Sequence, residues 1–128
     1  MKILAAILML CLPMKAMGET YICETEQNTF VKKSGIEPLP ESLTSYVLDI
    51  DRGFRELTGG FDYRGSCQKS ARDDRGGSAL ICTNRNVALA NFEQIVMTLE
   101  DLTFTRSYHS WALQGHWVAS QLGQCVEL

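Results

Sequence analysis

Both tryptophans, both histidines and a tyrosine fall within ten residues, from Tyr108-His109-Ser110-Trp111 to Trp117. Tyr108, His109, Trp111, His116 and Trp117 are therefore the candidate binding residues. Trp and Tyr dominate binding hot spots because each brings a large rigid apolar surface with a polar tip. The competing reading puts Trp111 and Trp117 into the core, or into one end of a barrel. His109 and His116 are also the chain's general-base candidates, with Ser107 and Ser110 close in sequence. A serine hydrolase needs its nucleophile on a sharp turn of the G-x-S-x-G kind, and neither serine has one. Two imidazoles without a third ligand rarely hold a metal.

Other chemistry fails on its own requirements. Asp49-Ile50-Asp51 has the acidic spacing that opens a calcium loop, but Gly53 stands at the fifth position and Phe54 at the sixth. That loop needs an oxygen ligand and then a glycine there, and Arg52 adds a cation beside it. Asp73-Asp74 lies between Arg72 and Arg75 and reads as a charged hairpin tip. Gly76-Gly77 lacks the Lys-Ser/Thr and the helix start of a phosphate loop. Fifteen acids make some pair of neighbouring carboxylates inevitable, so a glycosidase pair is not specific. No catalytic set, metal site or cofactor follows from the residues.

The elements that must position the aromatic run belong to a chain that reads as exported. Lys2 precedes an apolar run from Ile3 to Leu12, which Pro13 ends. Ten apolar residues suit a signal peptide, whereas a membrane span needs about 20. Ala16-Met17-Gly18 supplies the small residues of a cleavage site, so 1–18 reads as a signal peptide and 19–128 as a single exported β domain. Leu10 ahead of Cys11 argues against a lipid anchor. Loss of Lys2 and Lys15 with the leader takes the 12 basic residues to 10 against 15 acidic ones, a net charge of −5. That balance argues against binding to nucleic-acid phosphates. No later stretch is long and apolar enough for a membrane span. The implied location is secreted or periplasmic.

Four cysteines remain in that domain, spaced 44, 15 and 43 residues apart, with no C-x-x-C for zinc or redox work. An even count in an oxidising compartment predicts two disulfides. The polar centre Ala71 to Ser78 reads as a turn that folds Cys67 back against Cys82. Opposed strand residues lie about 4.5–5.5 Å apart, within reach of a disulfide. That pairing leaves Cys23 with Cys125, tying the first strand to the last.

Period-two patterns predict short strands at Glu19 to Glu24 and Thr29 to Lys33, separated by a turn at Glu26-Gln27-Asn28. Gly35 to Pro40 reads as a loop because Pro38 and Pro40 remove ladder donors. Residues 42–58 carry two patterns. Leu43, Val47, Ile50, Phe54 and Leu57 have helical spacing, while Tyr46, Leu48 and Ile50 alternate like a strand that turns at Arg52-Gly53. The β-like neighbours favour the hairpin. Between Phe92 and Tyr108 the apolar phase slips from Ile95, Met97 and Leu99 to Leu102, Phe104 and Tyr108. A bulge or tight turn near Glu100-Asp101 must absorb one residue. Trp111 to Trp117 reads as a hairpin broken by Gly115, and Gln124 to Leu128 as a closing strand. The expected fold is all-β, with at most one short helix at 42–58: a small antiparallel sandwich or barrel with two disulfides.

No family is identified. The frame set by Tyr21-Ile22-Cys23 and Gly123-Gln124-Cys125 is similar to that of small periplasmic lysozyme-inhibitor barrels. That family's inhibitory motif has no counterpart here, so no residue role is carried over. The leading expectation is an exported, non-enzymatic binding or inhibitor-type domain acting on a protein or envelope component. One alternative is a small-ligand carrier with an apolar barrel cavity lined by Trp111, Trp117 and Phe104. The other is a hydrolase using His109 or His116.

Overall fold

Side chains that alternate inward and outward generate this architecture. The computed structural model describes residues 19–32, 35–38, 44–57, 62–70, 77–111 and 115–128. Among them are nine strands and no helix. These are β1 Thr20–Lys32, β2 Gly35–Pro38, β3 Ser45–Asp49, β4 Gly53–Glu56, β5 Ser66–Lys69, β6 Ala79–Asn86, β7 Asn91–Thr98, β8 Thr103–Ser110 and β9 Trp117–Glu127. The leader with Cys11, Pro40, Gly59-Gly60 and the tip around Asp73-Asp74 lie outside the described residues. No described helix is long and apolar enough to cross a membrane.

All pairings are antiparallel, in the order β4-β3-β1-β9-β8-β7-β6-β5. Arg64, just ahead of β5, exchanges backbone hydrogen bonds of 3.0 and 2.8 Å with Phe54 on β4. The sheet is thereby nearly closed into a barrel. Gly53 makes the seam possible: its φ is +97°, and a Cβ there would lie 2.4 Å from the Arg64 carbonyl oxygen.

Residues 45–56 form the hairpin of β3 and β4, with the turn at Ile50 to Arg52. The phase slip after Met97 is a tight turn at Leu99 to Asp101, where Asp101 accepts from the Thr103 amide at 3.1 Å. Three boundaries need correction. The two strands expected before Lys33 are one, because both halves of β1 pair with β9 across a bulge between Thr25 and Gln27. The bulge shifts the phase, so Tyr21, Cys23 and Thr25 point inward before it and Asn28 and Phe30 after it. Gly35–Pro38 is a strand and not a loop. It extends the sheet only from the free edge of β1, where a missing donor is tolerated. The closing strand starts at Trp117 and not at Gln124. Its inward residues include Ala119, Gln121 and Gly123, whose small or polar side chains hid the period.

The lower half of the barrel is solid. Leu48, Phe54, Leu80, Ile95, Met97 and Phe104 are almost wholly buried there, together with both disulfides. Cys23 faces Cys125, and Cys67 faces Cys82, as directly opposed residues. Their Cα atoms are 3.9 and 4.0 Å apart, closer than the spacing expected from sequence. The Cys125 amide turns away to the Leu102 carbonyl, so its pair with Cys23 is a non-hydrogen-bonded one, where side chains approach most. Both bridges fit maturation in an oxidising compartment.

Two outcomes follow. Alanine at both Cys23 and Cys125, which are 102 residues apart, should cost about 4–5 kcal/mol in urea unfolding, against about 3 kcal/mol for Cys67 with Cys82, 15 apart. Equal losses would show that chain closure is not what the bridges contribute. Gly123→Ala should lower stability by about 3 kcal/mol, measured the same way, because the new Cβ would meet the Glu24 carbonyl oxygen at 1.9 Å and the Phe104 ring at 2.5 Å.

Candidate functional site

Going up the barrel, the inward positions change from apolar to charged. On β7, Ile95 is followed upward by Glu93; on β8, Phe104 is followed by Arg106; on β9, Gly123 is followed by Gln121. Alternation puts each in phase with its core neighbour. Glu93 is 2% exposed, so its carboxylate has lost its water and must be paired. It accepts from Arg64 Nε at 2.8 Å and Nη2 at 3.1 Å, from Arg106 Nε at 2.6 Å, and from Arg106 Nη2. The third Arg106 nitrogen donates to Gln121 Oε1 at 3.2 Å, and the Tyr46 hydroxyl donates to the same oxygen at 2.7 Å. Five strands or segments are thus tied across the interior, from β3 to the approach to β5.

Burial by itself would push the Glu93 carboxyl up, but the two guanidiniums outweigh it and hold it below its ordinary value of 4.5. Burial pushes the Tyr46 hydroxyl up, so it stays a donor. A carboxylate kept ionised in this way is a poor general acid. Its geometry suits cross-linking.

Above this network the barrel opens into a cleft of about 450 Å³. Arg64, Glu93 and Arg106 form its floor; Asn84, Asn91, Tyr108 and Trp117 follow one another along its wall, on β6, β7, β8 and β9. The aromatic side is a row. Phe30 and Trp117 have ring centroids 4.8 Å apart, Trp117 and Tyr108 5.0 Å, and the Arg106 guanidinium lies 5.3 Å from the Tyr108 ring. On β1, level with Gln121, the buried Asn28 Oδ1 accepts no hydrogen bond among the described residues.

The five sequence-predicted residues divide. Tyr108 and Trp117 meet on the inner wall of the cleft. His109 alternates to the outer face, beside Phe92 at 6.2 Å. Trp111 and His116 stack on each other at 6.1 Å in the β8–β9 connection, with Trp111 53% exposed. The two histidines therefore face different surfaces. Phe104 is 1% exposed in the packed core, so Trp111, Trp117 and Phe104 do not line one apolar cavity. Among the described residues, no three His, Cys, Asp or Glu side chains are grouped to hold a metal ion.

Glu93, Arg106, Arg64, Asn84 and Asn91 escaped the sequence reading. A signal existed for two of them, since Glu93 is in phase with Ile95 and Met97, and Arg106 with Phe104 and Tyr108. No family model, curated protein or solved structure matches the chain.

Glu93→Gln should cost about 3–5 kcal/mol at neutral pH, because Arg64 and Arg106 lose their counter-charge. Wild-type stability from Glu93 is fully present above its unfolded value of 4.5 and is lost as pH falls through the lower folded value. Urea unfolding across that range should show a shallower acid limb in the variant. An unchanged limb would mean that the pair does not set acid stability.

Proposed function

We propose that this chain is an exported, non-enzymatic binding domain, acting as an accessory or inhibitor-type subunit on a component of the envelope. Its contact surface is the open end of the barrel. The observation carrying this reading is a coincidence of features at that end. The β6–β7 and β8–β9 connections, the end of β1 and the cleft are all there. The same end exposes large apolar side chains: Val87 at 76%, Leu89 at 65% and Trp111 at 53%. Apolar tips around a polar depression are the composition of a recognition surface, with anchors at the rim and orienting groups inside.

A charged floor does not suit an apolar carrier, and the filled lower half leaves such a ligand no room there. His109 and His116 lie apart, so a hydrolase centre would rest on one of them alone.

Purified domain co-sedimented with isolated envelope material tests the reading. Leu89→Ala and Trp111→Ala should each weaken binding about tenfold or more. Val126→Ala, on the outer face near the other end of β9, should bind as wild type. No sedimentation above a protein-only control, or equal binding by all four proteins, would overturn the proposal.

A further inference from the structure

The chemistry of the cleft narrows what kind of envelope component enters it, and this step rests on the binding reading above. The charges of the floor are already matched. Glu93 engages both guanidiniums, and Arg64 also lies 3.7 Å from Glu56. An anionic ligand would have to compete with Glu93 for the arginines, and a cation would have to draw Glu93 away from two of them. Neither exchange is favourable where Glu93 and Arg106 are this buried.

Amides and rings remain for a ligand. Along β6 the inward positions run Leu80, Cys82, Asn84, Asn86, and Asn91 opposes Asn86 on β7. Asn86 Oδ1 already accepts from the Leu89 amide at 3.1 Å, which leaves Asn84 and Asn91 as the amides that orient a guest. A primary amide holds donors and an acceptor side by side, matching adjacent hydroxyls that both donate and accept. On the adjoining strands β8 and β9, Tyr108 and Trp117 line the same cleft, and the ring surface left beside their contacts with Phe30, Arg106 and each other suits an apolar C–H face. A pyranose carries both features on one rigid body.

We propose that the mouth of the barrel is a carbohydrate site, taking an uncharged sugar residue of an oligo- or polysaccharide against the wall formed by Asn84, Asn91, Tyr108 and Trp117. Its volume of about 450 Å³ is that of a small-molecule site.

Calorimetric titration with chitotetraose and cellotetraose, and with tetragalacturonate as the charged counterpart, tests this. At least one neutral tetrasaccharide should bind saturably, and tetragalacturonate about tenfold more weakly or not at all. Trp117→Ala and Asn84→Ala should each weaken the neutral sugar about tenfold, with Val126→Ala unchanged. Trp117 packs on Phe30 and Tyr108, so thermal melts must accompany that variant; Asn84→Ala carries the test if it fails to fold. Three results overturn the assignment: no binding of either neutral sugar up to about 10 mM, equal or tighter binding of tetragalacturonate, or indifference to Asn84→Ala. If envelope sedimentation persists while the sugars fail, the carbohydrate assignment falls and the binding reading stands. If both fail, both fall.

Discussion

A carboxylate buried between two guanidiniums governs this barrel. Glu93 cannot be exposed without leaving Arg106 uncompensated, and Arg106 cannot move without releasing Gln121 and Tyr46. The pair therefore specifies register. A slip of one residue along β7 would turn Glu93 outward and bring Phe92 to face the arginines. Such networks are weak sources of net stability, but they penalise wrong arrangements heavily. Here the network also divides the interior. Hydrocarbon and sulfur fill the barrel below it, and amides and aromatic rings line the cleft above it.

The two disulfides reinforce the lower half alone. One joins β1 to β9 and the other β5 to β6, on well-separated staves of the barrel. Closure at the seam needs a further device, which Gly53 and the backbone of Arg64 provide. Arg64 thus has two duties. Its main chain completes the cylinder against Phe54, while its side chain crosses the interior to Glu93. The shape of the mouth is consequently coupled to the closure of the wall.

Much of this was legible in the residues. Strand period, turn chemistry and an even cysteine count lead to an all-β fold and to the correct pairing of all four cysteines. The hairpin at 45–56 was ambiguous on its own pattern and was decided by its neighbours. Failures came where a polar residue serves an inner face. Glu26-Gln27-Asn28 looks like a turn because a bulge and a turn have the same composition. Tyr108 and Trp117 stand out by type, but their separation from His109, Trp111 and His116 required knowing which face each residue occupies. Arg64 and Glu93 are 29 residues apart and meet only through the curvature of the closed sheet, which no local pattern encodes.

The bridge between Cys23 and Cys125 turns nearly the whole domain into a covalent ring. Tension applied at its two ends would run from one sulfur to the other and bypass the 102-residue stretch that separates them. Between the two cysteines, the strand ladders, seam and mouth would be spared that load. A domain wired in this way can be pulled from either side without its open end changing shape.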